Sequence, residues 1–195
     1  MQIEFFKKYE EAKNLGLKKQ ASQHIKQFVE SFDGGDEEKL WVKDYLEQRD
    51  YGHKVRHELY DRVIFPYLKE GYLKNDPWAL YWLAETIQNI YSSEKLHEQI
   101  DYKSDYFLLK QSFKLDSSND DIRKSLLNSI ANQLGYATHE WPTGVLYAPD
   151  ESPKDLIDEI EFGRSLDKEG KYTELFEETL DIVKQDMQRQ GLSLV

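Results

Sequence analysis

The sequence predicts an all-α protein of about eight or nine antiparallel helices in a layered, repeat-like array. Three observations carry this expectation. Apolar residues recur at helical spacing through most of the chain, turn and cap residues divide those stretches, and no run alternates with period two long enough to demand a sheet. The whole length reads as a single helical domain, with sub-units at 1–74, 75–140 and 150–195.

Residues 75–91, NDPWALYWLAETIQNIY, form the centre of this pattern. Asp76 is placed to cap the first free N–H groups, Pro77 suits the first helical position, and neither Gly nor Pro follows before Tyr91. Ala79, Leu80, Leu83, Ala84, Ile87, Ile90 and Tyr91 fall on one apolar face, while Trp78, Tyr81 and Trp82 share the opposite face with Glu85, Gln88 and Asn89. Such a helix is either central to a layered protein or lines a groove.

From the start of the chain, residues 3–15 carry Ile3, Phe6 and Ala12 with Phe5, Tyr9 and Leu15 beside them, and Gly16 is the expected stop. A second helix places Ile25, Phe28, Val29 and Phe32 at helical spacing. Asp33-Gly34-Gly35-Asp36 is a turn, with Asp36 the expected cap of a helix bearing Leu40, Trp41, Tyr45 and Leu46. Residues 53–73 are helical around Val55, Leu59, Val63 and Ile64, and Pro66 predicts a kink or break near Phe65. A helix after Ser92-Ser93 is expected to break around residues 102–104. Tyr106, Leu108, Leu109 and Phe113 follow, and then a stripe of Ile122, Leu126, Leu127, Ile130 and Leu134. Residues 141–149, WPTGVLYAP, form a loop expected to pack down. Ser152-Pro153 has the cap and first-position pattern of another helix, and Lys168-Glu169-Gly170 separates it from the last one, whose inward face is Tyr172, Leu175, Phe176, Leu180, Val183 and Met187.

A chain of 195 residues can bury a core without staples, and it contains no cysteine, which excludes disulfides and thiolate metal sites. Charges at Glu4, Lys7, Lys8, Glu10 and Glu11 interrupt any signal-like apolar run, so the expected location is cytoplasmic. The net charge of −11 is concentrated toward the end: residues 150–186 hold 13 acidic and 5 basic residues, or −8, leaving −3 for the remainder. That balance disfavours nucleic acid and anionic membrane and favours a basic protein partner. Glu174, Glu177 and Glu178 are the candidate acidic surface; a solvated, solubilising helix face is the plainer reading of the same charges.

His53, His57 and Asp61 share a spacing that puts them on one helix face and suits zinc or iron; against this, Tyr51-Gly52 can leave His53 outside the helix, and a metal site then needs a third strong ligand from elsewhere. A metal-dependent or small-molecule enzyme built on them is the alternative functional class. The strings His57-Glu58-x-x-Asp61 and His97-Glu98-x-x-Asp101 lack the second imidazole of a zincin motif, and no glycine-rich phosphate loop is present, so no cofactor is expected. Trp78, Tyr81, Trp82, Glu85 and Asn89 are the leading candidate binding surface, since stiff aromatic area beside hydrogen-bonding groups suits recognition. Packing beneath neighbouring helices is the competing reading. His139, Glu140 and Trp141, at the mouth of the Pro/Gly loop, form a second candidate.

Ser112-Phe113-Lys114-Leu115-Asp116-Ser117-Ser118-Asn119 resembles the end of a tetratricopeptide repeat's second helix, with Ser in place of the family's alanine and proline at 112 and 117. The strings RHELYDRVIFPYLKEGY, WALYWLAETIQ and YATHEWPTGVLY look like those of an uncharacterised family of bacterial helical proteins. The first resemblance implies stacked helix pairs of the kind that bind proteins on a concave face. The functional expectation is a protein-binding module, in its most concrete form an immunity protein neutralising a basic bacterial toxin. Homodimerisation through the last helix is a further expectation.

Overall fold

A computed structural model describes residues 1–49, 54–142, 146 and 152–192. Every regular element among them is helical, as the sequence predicts. They group into two compact units, Met1–Leu115 and Asp116–Val195. The internal divisions expected near 74 and 140 fall inside these units.

In the first unit, α1 (Ile3–Asn14) stops where the sequence places the stop. Gly16 adopts φ 71°, a left-handed conformation that lets the Leu17 N–H reach back to the Ala12 carbonyl at 2.8 Å. The short connection folds α2 (Lys18–Glu30) back along α1. Leu15, expected beside the apolar face, is exposed because it lies beyond the last helical turn. The helix α3 (Asp36–Glu47) joins this pair through rings: Phe6 lies 5.0 Å from Phe28, 5.2 Å from Trp41 and 5.7 Å from Tyr45, centre to centre. Asp36 is the first helical residue and not the cap, which is Gly35.

The chain then runs through α4 (His57–Leu59), a π turn (Tyr60–Ile64) and α5 (Phe65–Leu73). The break expected near Pro66 is replaced by this π turn. The Phe65 N–H bonds to the Tyr60 carbonyl, so Pro66 falls in the first turn of α5, where its missing N–H costs little. Asn75, at φ 54°, turns the chain, and the Asp76 N–H closes on the Gly71 carbonyl at 2.9 Å. Asp76 then caps α6 (Pro77–Glu85), accepting from the Trp78 N–H at 3.0 Å, as its position predicts. The backbones of α5 and α6 approach so closely that a Cβ on Gly71 would lie 2.3 Å from that of Ala79.

The central helix does not run unbroken to Tyr91. It divides at Thr86 into α6 and α7 (Ile87–Tyr91). The Thr86 hydroxyl donates to the Trp82 carbonyl at 2.5 Å, and the buried Tyr60 hydroxyl sits 2.9 Å from Thr86 Oγ1. With the threonine proton committed to Trp82, Tyr60 is the donor of the second bond. This order predicts an asymmetry. Tyr60→Phe removes one donor and is expected to cost about 1 kcal/mol, whereas Thr86→Val strands the buried phenol and is expected to cost about 2–3 kcal/mol in urea denaturation. Equal losses would contradict the assigned direction.

After α7, α8 (Glu94–Glu98) ends short of the break expected around 102–104, and consecutive left-handed residues, Asp101 and Tyr102, turn the chain before the next helix. The helix α9 (Asp105–Leu115) packs on α6, where the buried Ser112 hydroxyl donates to the Pro77 carbonyl at 2.7 Å.

The second unit comprises α10 (Asp120–Glu140), α11 (Pro153–Leu166) and α12 (Thr173–Arg189), each packed against the other two. Asn119 caps α10 and Ser152 caps α11, the latter reciprocally with Asp155. The predicted stripe Ile122, Leu126, Leu127, Ile130 and Leu134 is buried, facing Ile160, Phe176 and Val183 in the same core. Buried Arg123 bonds the Leu166 carbonyl and pairs with Glu169 at 2.9 Å and Asp120 at 2.8 Å. Among the described residues, no helix is long and apolar enough to cross a membrane.

Candidate functional site

The aromatic face of α6 is not an open recognition face. Tyr81 and Trp82 are each 6% exposed, with ring centres 5.2 Å apart, and Asn89 is 1% exposed. The physical reason is that α6 is covered by α5 and by α9, so residues on more than one side of it are buried. Trp78 and Glu85 are half-buried. The Trp78 indole N–H donates to Glu47 at 2.9 Å, and its ring has the Lys43 ammonium at 5.3 Å and the Tyr67 ring at 5.8 Å. Asn89 is structural: its amide accepts from the Val55 N–H at 3.0 Å and donates to the Val55 carbonyl at 2.7 Å.

The second candidate lies at the end of α10. His139 is exposed with its Nδ1 3.2 Å from Glu140, and half-buried Trp141 carries the Arg189 guanidinium 4.6 Å from its ring centre. Of the Pro/Gly loop, residues 143–145 and 147–149 lie outside the described residues; Leu146 between them is buried.

His57 and Asp61 both line one cleft of about 330 Å³, together with Ser22, Lys26, Glu58 and Arg62 over Val29. His53 lies outside the described residues. Among the described residues, no three His, Asp or Glu side chains are grouped to hold a metal ion. Glu58 is committed to Arg56, which grips both carboxylate oxygens at 3.0 Å and holds that carboxyl below its usual pKa.

A second cleft, of about 300 Å³, also has Arg62 in its lining. Phe32, Val42, Val63, Pro66 and Tyr67 line it, together with Gly34, Gly35 and Lys39. Two acidic residues border it, and both are already engaged. Glu70 lies between Lys74 at 2.6 Å and Lys39 at 3.5 Å. Glu38, 4% exposed, accepts from the Asp33, Gly34 and Gly35 backbone N–H groups at 2.5–3.2 Å and pairs with the Met1 ammonium at 3.1 Å. Neither Arg62 nor Glu38 is singled out by the sequence reading. The signal for Glu38 is present, a glutamate at the third helical position after a Gly-Gly turn. Arg62 has no local signal, because its surroundings come from segments some thirty residues apart.

In the second unit, the candidate residues Glu174, Glu177 and Glu178 are all exposed, on the side of α12 opposite Phe176, Thr179 and Val183. Several other carboxylates of this unit have structural tasks. Asp155 caps α11, Glu161 pairs with Arg164, Asp167 accepts from the Lys171 and Tyr172 N–H groups, and Glu169 holds Arg123. Glu174, Glu177 and Glu178 have no ion-pair or hydrogen-bond partner among the described residues.

Fold and surface together define an all-α protein of two separately cored units, the first with paired clefts about Arg62 and the second with a bare carboxylate stripe. No protein-family model, curated protein or solved structure matches the chain.

Proposed function

We propose that this is a protein-binding helical module whose second unit engages a basic protein through the α12 carboxylates. Its most concrete form is an immunity protein that covers the basic active site of a toxin, a nuclease foremost. One observation carries the reading: Glu174, Glu177 and Glu178 are exposed, clustered on one helix face and without cationic partners among the described residues, in a unit where several other carboxylates are used internally. Their spacing is also unfavourable to the helix. Glu174 stands three and four residues before Glu177 and Glu178, and like charges at those spacings cost a few tenths of a kcal/mol per pair. A basic partner removes that repulsion and is drawn in by the same field.

The charge reversals Glu177→Lys and Glu178→Lys together are expected to do two opposite things. They raise the melting temperature of the free protein at low salt, and they weaken binding of the partner recovered from the source cells at least tenfold, chiefly through slower association. Surface plasmon resonance at 50 and 300 mM salt measures the second effect. An affinity indifferent both to salt and to the double reversal would remove the acidic stripe from the interface.

A further inference from the structure

We propose that the apolar cleft beside Arg62 is a binding site for a small organic carboxylate with an aromatic or branched body. The body fills the space between Phe32, Val42, Pro66 and Tyr67, and the carboxylate meets the Arg62 guanidinium at the cleft mouth.

The charge balance of the cleft selects the ligand. In a chain of net charge −11, a bare cation in a concave site is unexpected. The other cations lining these clefts are nevertheless paired, Lys39 with Glu70 at 3.5 Å and Lys26 with Glu30 at 3.7 Å, as is Arg56 with Glu58 at 3.0 Å. Arg62 has no hydrogen bond or ion pair among the described residues, although it lines both clefts. Of the two carboxylates bordering the apolar cleft, Glu38 is neutralised by the Met1 ammonium and three backbone donors, and Glu70 lies between two lysines. Asp61, the unpaired anion next in sequence, lines the polar cleft only. An entering group on the apolar side therefore meets uncompensated positive charge in fixed fork geometry, which suits a planar carboxylate.

The volume and walls decide the rest. About 300 Å³ is at the lower end of small-molecule sites, enough for one ring or a branched chain. Inorganic phosphate would satisfy Arg62 but leave the apolar walls unused. The π turn fixes the arrangement, since Arg62 and Val63 belong to it and Pro66 lies two residues beyond its end. The site lies wholly in the first unit and is independent of the acidic stripe in the second.

Titration of the ¹⁵N-labelled full chain at pH 7 with phenylacetate, phenylacetamide, acetate and inorganic phosphate tests the proposal. Phenylacetate is expected to shift the Arg62, Val63 and Tyr67 amides saturably, with the neutral amide, the ringless acid and phosphate each at least tenfold weaker. Arg62→Gln, an exposed substitution that leaves the core untouched, is expected to reduce phenylacetate affinity to that of phenylacetamide while leaving the amide's own affinity unchanged. Equal binding of acid and amide would overturn the proposal, as would undiminished phenylacetate binding in Arg62→Gln or the absence of shifts at these residues at 20 mM probe, a concentration of about the millimolar order that weak fragments require.

Discussion

Asn89→Ala is expected to destabilise the protein by about 3 kcal/mol. The side chain replaces a missing stretch of secondary structure, since one amide satisfies both backbone groups of Val55. Val55 is 2% exposed, so truncation leaves a donor and an acceptor buried and unpaired, each costing roughly 1–3 kcal/mol, and adds a small cavity. Asn89→Asp is no remedy, because a carboxylate still accepts from the Val55 N–H but faces the Val55 carbonyl with a second acceptor. Urea denaturation should show a lower midpoint with an unchanged slope. A loss below about 1 kcal/mol would mean that solvent takes over both bonds, and the structural role given to Asn89 would have to be withdrawn.

The second large effect is expected at Glu38. Removing its carboxylate in Glu38→Ala frees the N–H groups of Asp33, Gly34 and Gly35 and the Met1 ammonium together. A loss of about 2–4 kcal/mol follows, since bonds to a charged acceptor are worth more than neutral ones. Glu38→Gln, which keeps one acceptor oxygen, should fall between. The pH dependence has a defined sign. Burial pushes the Glu38 carboxyl up, but the Asp33 and Gly34 N–H groups and the Met1 ammonium outweigh it and hold the net value below the usual 4.5. A depressed carboxyl contributes stability that is present above about pH 4.5 and lost as pH falls below it through the folded-state value. The gap between wild type and Glu38→Gln is therefore expected to be full at pH 6–7 and to shrink on acidification below about pH 4.5. A gap constant from pH 7 to pH 3 would show that the carboxylate charge is not what holds the turn.

Much of the architecture is written locally. Asp76-Pro77, Ser152-Pro153 and Gly16 act through groups within a few residues, and the α10 stripe needs only its own spacing, so these features are readable from the chain. The misreadings share a different cause. Tyr81 and Trp82 looked like the outer face because periodicity reveals one apolar side, whereas α6 is enclosed by both α5 and α9. At the Thr86 break, the threonine hydroxyl meets one contributed by Tyr60, twenty-six residues earlier. Pro66 correctly marked an irregularity, but its form, a widened turn ahead of the proline instead of a kink, depends on the bonding of Tyr60 and Phe65. At the candidate sites, the acidic stripe was legible because it lies on one helix. The cleft at Arg62 was not, since residues near 32, 42 and 66 come together only in the folded first unit.

The division of the chain at Leu115 has a consequence for how its surfaces can change. The Arg62 clefts draw their walls from one hydrophobic interior and the α12 carboxylates stand on another, so a substitution that abolishes one property need not disturb the scaffold of the other. Substitutions in one unit are therefore expected to combine additively with substitutions in the other, which makes the basic-protein binding and the small-acid binding proposed above separable characters.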